Sequence, residues 1–230
     1  MHAAFKCNLG EKIFMQKQLQ VLEILLKEFQ LDKSITSVLL TGSVAYGAAT
    51  EDSDLDIIVL CKKDDFVSKE VNGVLVEIHY HKYETLCEKL STTPMEVYKY
   101  IYSKIVFDDG QAAKLLAMAK EQYENYKTPE KEKQGIQYWL SATKSKLLSA
   151  ISENDHMKLS YLLATNTWKV MEGAWAMNDK PMPPSSLAFY KHDMVQFPLE
   201  NWFETLLEGS AFERANVMIK IIDIICGDRR

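Results

Sequence analysis

The chain has 230 residues, enough for one large domain or two small ones with a buried core. With 47% hydrophobic and 26% charged residues, its composition is that of a globular protein and excludes a disordered one. A formal net charge of −5 without a Lys/Arg block argues against a nucleic-acid polymer as principal substrate, because such binding rests on basic surface.

In chain order, residues 11–29 carry Ile13, Phe14, Leu19, Leu22, Leu25, Leu26 and Phe29 at helical spacing. Leu31-Asp32-Lys33-Ser34 breaks that helix before a strand at about 37–41, and Ser43 opens a short helical stretch over 43–48. Strands follow at 55–61 and, after the Asn72-Gly73 turn signal, at 74–81. Residues 82–90 and 94–102 read as helices, and 105–107 as a strand stopped by Asp108-Asp109-Gly110. A helix over 111–126 places Leu115, Leu116 and Met118 inward. Strands and helices mixed in this way predict an α+β domain with a small mixed β-sheet.

From Thr128-Pro129 onward the pattern turns helical, over 131–152, 156–177, about 199–208 and 211–226, with no strand pattern. Pro181, Pro183 and Pro184 make 178–186 a connection. The expected organisation is therefore a domain over 1–128 followed by a C-terminal helical bundle over 129–230. Cys7, Cys61, Cys87 and Cys226 are scattered without a Cys-x-x-Cys pair, no signal-peptide pattern is visible, and no 18-residue apolar stretch occurs. A cytoplasmic protein with no membrane association, monomeric or homodimeric, is expected.

Chemistry concentrates in residues 42–56. An apolar run, Val38-Leu39-Leu40, leads into Gly42-Ser43, and eleven residues after Ser43 comes Asp54-Leu55-Asp56, followed by Ile57-Ile58-Val59-Leu60. Side chains alternate along a strand, so Asp54 and Asp56 share a face. Two adjacent carboxylates repel unless a cation lies between them, and oxygen ligands suit Mg²⁺ or Mn²⁺, which also grip phosphate oxygens. Backbone N–H groups at the Gly-Ser turn add an anion-holding element. In the strand 74–81, Leu75, Glu77, His79 and His81 share one face. A Glu among β-branched residues is costly to bury without a partner or function, so Glu77 is a third candidate acid. Whether it ligates a metal or accepts a proton is left open by the sequence. His79 is a candidate contact to nucleotide or acceptor; a zinc site built on His79 and His81 is the weaker reading, because the carboxylates already account for a metal.

Gly42, Ser43, Asp54 and Asp56 resemble the motif of the DNA polymerase β-like nucleotidyltransferase superfamily, and the layout is similar to small adenylyltransferases that modify aminoglycosides or lincosamides. The resemblance implies that Asp54, Asp56 and Glu77 form the catalytic and metal site and that Gly42 and Ser43 bind the nucleotide. It further implies ATP as donor, a small-molecule acceptor and an acceptor site held between the two parts. Such enzymes sometimes take a base from the helical part. Trp168, Glu172 and Trp175 fall at i, i+4 and i+7 on one helix, which makes Glu172 a second candidate, although core packing is the commoner role of such a face. Lys144 and Lys146 read as a solvated face. Two rival readings are a nucleotidyltransferase acting on a protein, of antitoxin type, and a non-catalytic nucleotide-binding regulator. The intact motif counts against the second, and the attached helical half against the first.

Overall fold

A computed structural model describes residues 16–227, so the beginning of the first predicted helix, with Ile13 and Phe14, and Cys7 lie outside the described residues. The chain divides into two compact units, residues 1–125 and 126–230.

In the first unit the order is α1 (Gln16–Leu31), β1 (Ser37–Leu40), α2 (Gly42–Tyr46), β2 (Leu55–Leu60), β3 (Asp65–Val71), β4 (Val74–His81), α3 (Tyr83–Thr92), α4 (Val97–Ile101), β5 (Lys104–Asp108) and α5 (Gln111–Asn125). A 3₁₀ turn, Pro94–Glu96, precedes α4. The strands form one sheet in the order β3-β4-β2-β1-β5. It is mixed: β2 and β4 run parallel, and the other neighbours are antiparallel.

One face of the sheet carries Val38, Leu40, Leu55, Ile57, Val59, Val76 and Ile78, and α1 buries Val21, Leu22, Leu25 and Phe29 in the same core. This is the period-2 pattern of the strands meeting the helical stripe of α1. Leu39, Ile58 and Leu60 face the other way and are also buried, and α5 packs on β1 and β5 with Ala112, Leu115 and Ala119. Asp108 ends β5 and starts α5, its carboxylate accepting from the N–H groups of Gly110, Ala112 and Ala113 at 2.8–3.0 Å.

The strand β3 is absent from the sequence expectation. Its Asp65, Ser68, Lys69 and Glu70 are exposed and only Val67 and Val71 turn inward, so no apolar alternation marks it. As the outermost strand it needs a single partner, and its charges keep the open edge from pairing with other chains.

The second unit is helical throughout: α6 (Glu130–Ser152), α7 (His156–Met177), α8 (Ser185–Tyr190), α9 (Trp202–Glu208) and α10 (Ala211–Cys226). Leu140, Leu147, Leu163, Val170, Trp175, Phe203, Met218 and Ile222 form its core. Buried Asn166 links α6 to α7, accepting from Trp139 Nε1 at 3.0 Å and Thr143 Oγ1 at 2.9 Å. A Ser210–Glu213 capping box starts α10. The short α8 is absent from the sequence expectation and overlaps the expected connection 178–186 only at Ser185 and Ser186; Pro184 directly precedes it, a position where a proline costs the helix no hydrogen bond. Among the described residues, no helix is long and apolar enough to cross a membrane.

Candidate active site

The site begins where β1 ends. Thr41 donates its N–H to the carbonyl of Asp56 at 3.0 Å, and Gly42 then turns the chain into α2 at φ +66°. A Cβ on Gly42 would fall on Oδ2 of Asp56, 2.7 Å from its carboxyl carbon, so only glycine lets the backbone pass this close. The hydroxyl of Ser43 is buried with no hydrogen-bond partner among the described residues. An orphaned buried hydroxyl is costly, and a ligand oxygen would satisfy it.

The parallel register sets Asp56 beside Glu77 and Ile58 beside His79. One ligand atom from each of Asp56, Glu77 and His79 lies within 4.8 Å of the others. Burial, then the charges of Asp54 and Glu77, pushes the Asp56 carboxyl from 3.8 up to about 6. Asp54 sits just before β2, close enough to repel Asp56 but outside the set of three. Burial lowers the pKa of His79, against an opposing pull from Glu77. Phe66, its partner across β3–β4, packs on the His79 ring with centroids 4.8 Å apart.

Asp56 and His79 line a cavity of about 190 Å³ within the first unit. Thr41, Gly42, Asp56 and His79 form one wall, and Lys89, Glu96, Lys99 and Tyr100 form another. Lys99 pairs with Glu96 at 2.8 Å, whereas Lys89 has no ion-pair partner among the described residues. Tyr100 is fully buried, its hydroxyl makes no hydrogen bond among the described residues, and burial, then Glu96, raises its pKa. His81, also in the lining, is held through Nδ1 by Asp64 at 3.1 Å. The Asp56 carboxylate on one side and the unpaired Lys89 amine on the other suit a ligand that joins cation and phosphate.

The nucleotidyltransferase domain family matches residues 20–135, half of the chain. The protein belongs to that family, which makes it an enzyme of the nucleotidyltransferase class. A solved structure of a nucleotidyltransferase-like protein from Exiguobacterium sibiricum 255-15 is similar over 92% of this chain and 75% of that one, at 11% identity and a TM-score of 0.39. No curated protein matches the chain.

In this nucleotidyltransferase the sequence-expected Gly42, Ser43, Asp54, Asp56, Glu77 and His79 all fall in the first unit, after the end of β1, at the start of β2 and within β4. Glu172 falls in the second, on α7, in an ion pair with Lys169. Trp175 is fully buried while Trp168 is 42% exposed, so the face expected to group them offers a ligand no paired rings. Lys144, read as solvated, pairs with Asp223. Sequence reasoning missed Lys89, Lys99, Tyr100 and Asp64. It also missed Gln18, a fully buried residue of α1 whose Nε2 donates to the carbonyls of Thr50, Glu51 and Ser53 at 3.0–3.3 Å. A glutamine at i−3 from Val21 and i−4 from Leu22 was the available signal, a polar residue on the apolar stripe.

Proposed function

We propose that the protein transfers a nucleoside monophosphate, AMP from ATP, to a hydroxyl of a small-molecule acceptor, an aminoglycoside or lincosamide antibiotic being the favoured class. The observation that carries the reading is the Asp56–Glu77 pair beside the Gly42 turn, inside a family of nucleotidyltransferases.

The residues fit a divalent cation: burial first, and then the charges of Asp54 and Glu77, hold Asp56 at about 6, and a positive charge beside these carboxylates relieves both costs. Asp54, Asp56 and Glu77 would hold Mg²⁺ or Mn²⁺. Such an ion, when bound, neutralises charge on the transferring phosphoryl group. The Ser43 hydroxyl and the N–H groups of the Gly-Ser turn hold phosphate oxygens, and Lys89 adds a positive charge on the facing wall. Glu77 completes the acid cluster or accepts the proton of the acceptor hydroxyl. Positioning and electrostatics supply most of the rate in a transfer of this kind.

The test is incubation of the purified protein with α-³²P-labelled ATP, divalent cation and a panel of aminoglycosides and lincosamides. The expected result is a labelled antibiotic with release of pyrophosphate. Label appearing only on protein from a lysate would favour the protein-acceptor reading, and no label on any acceptor would overturn the proposal.

A further inference from the structure

His79 is the one member of the three-residue cluster that is not a carboxylate. Neither of its ring nitrogens has a hydrogen-bond partner among the described residues, and it forms no ion pair with Glu77. His81, two residues on, is different: its Nδ1 is already engaged by Asp64 at 3.1 Å. The His79 ring is nonetheless held in place. Phe66 packs on one side at 4.8 Å, and His81 lies nearly parallel, 15° off, at 6.3 Å. An imidazole fixed by its carbon faces, with free nitrogens beside two carboxylates, is arranged as a ligand and not as a hydrogen-bond donor.

The spacing agrees. Ligands at about 2.1 Å from an octahedral ion stand about 3 Å apart when adjacent and about 4.2 Å apart when opposite. The three atoms lie within 4.8 Å of one another, wider than the opposite-ligand distance by about half an ångström, so holding one ion requires the side chains to close by that amount. On β2 the next residue facing this side after Asp56 is Ile58, which has no donor atom, so the register leaves β4 to supply the ligand beyond Glu77.

We propose that His79 joins Asp56 and Glu77 as a nitrogen ligand, making a mixed nitrogen–oxygen centre that selects a first-row transition ion, Mn²⁺ foremost, over Mg²⁺. Mg²⁺ is a hard ion that favours oxygen donors and near-ideal octahedral geometry, whereas imidazole raises the affinity of transition ions. Among these, Mn²⁺ also accepts the carboxylate and phosphate oxygens that a nucleotide complex brings. Use of the ion in catalysis rests on the nucleotidyl-transfer reading; its binding does not.

Pulsed EPR of the full-length protein loaded with Mn²⁺ decides the ligand, because a directly bound imidazole nitrogen gives a hyperfine coupling that shifts on ¹⁵N-histidine labelling. The wild type should show that coupling, His81→Ala should keep it, and His79→Ala should lose it. Equilibrium dialysis should show Mn²⁺ binding weakened ~10–100-fold by His79→Ala, and Mg²⁺ binding changed far less. His79→Gln, closer in volume, guards against loss through misfolding, and its thermal melt is compared with the wild type. No nitrogen coupling in the wild type, or a coupling that survives in His79→Ala, overturns the proposal. Transfer supported by Mg²⁺ with no nitrogen coupling sinks the mixed centre and spares the nucleotidyl-transfer reading. Nitrogen coupling with no transfer under any ion does the reverse.

Discussion

Gly42 and Asp56 occupy space that no larger pair could share, since a Cβ on Gly42 would overlie the Asp56 carboxylate oxygen. Gly42→Ala must push that carboxylate away, and it also places a side chain at φ +66°. Transfer should fall by ~10²-fold or more, the scale of loss when a catalytic group is displaced by about an ångström. Stability should drop by roughly 1–3 kcal/mol through backbone strain. Steady-state kinetics beside a thermal melt checks both; an active Gly42→Ala enzyme would mean that Asp56 is not held where it is used.

Asp56 also sets a pH dependence. Its folded-state pKa, about 6, stands above its ordinary 3.8, so the native state binds this proton more tightly than the unfolded chain does. The associated stability is fully present below about pH 4 and is lost as pH rises through 6. In EDTA, Asp56→Asn should therefore match the wild type near pH 4 and exceed it at pH 7.5 by roughly 1–2 kcal/mol, after discounting for partial solvent exposure. Divalent cation should raise the melting temperature of the wild type and not of Asp56→Asn. A gap of equal size at both pH values would show that titration of Asp56, raised by burial and then by its neighbouring acids, is not its cause.

Glu77→Gln separates the two roles left open for that residue. Loss of a base lowers kcat and kcat/KM together, by ~10²–10⁴-fold, with metal affinity intact. Loss of a ligand weakens metal binding as well, which a Mn²⁺ titration reads directly. Wild-type values of all three would remove Glu77 from the site.

Lys89 lines the same cavity as Asp56 and has no ion-pair partner among the described residues. Lys89→Ala should weaken nucleotide binding by about 10-fold, the value of one charge-assisted contact to phosphate. Lys99→Ala should cost less, because Lys99 is already paired with Glu96. Nucleotide titrations by calorimetry measure the order, and equal losses would contradict it.

The parts of this protein that were legible in its sequence are those written in short-range periodicity. Asp54, Leu55 and Asp56 before an apolar strand, and Glu77 and His79 on one face of the next, need only the alternation of a strand to be placed. What joined them was the parallel pairing of β2 with β4, a long-range choice that no local pattern encodes. Lys89, Lys99 and Tyr100 come to the cavity from α3 and α4, where each reads as an ordinary helical residue. Phe66 was lost with β3, whose polar residues follow from its place at the sheet edge. On the Trp168–Glu172–Trp175 face, helical spacing groups residues that packing divides, with Trp175 in the core and Trp168 partly exposed.

Gln18 ties the loop that delivers Asp54 to the body of the first unit. Its single amide nitrogen reaches the carbonyls of Thr50, Glu51 and Ser53, the last of these adjacent to Asp54, from a position with no solvent exposure. Gln18→Leu keeps the apolar packing and removes the donor, so the cost is that of lost hydrogen bonds, ~1–3 kcal/mol. Gln18→Glu should be worse, since a buried carboxylate would face carbonyl oxygens with no proton to offer unless it stays neutral. Both variants should speed amide hydrogen exchange over residues 47–54 more than in β1 or β2, because the loop loses its anchor while the sheet keeps its ladder. If Asp54 serves the metal, Gln18→Leu should also weaken divalent binding without touching a ligand. A Gln18→Leu protein with wild-type exchange in that loop would show that the turn built by Thr50 and Ser53, where Thr50 N–H donates to Ser53 Oγ at 2.8 Å, holds Asp54 unaided.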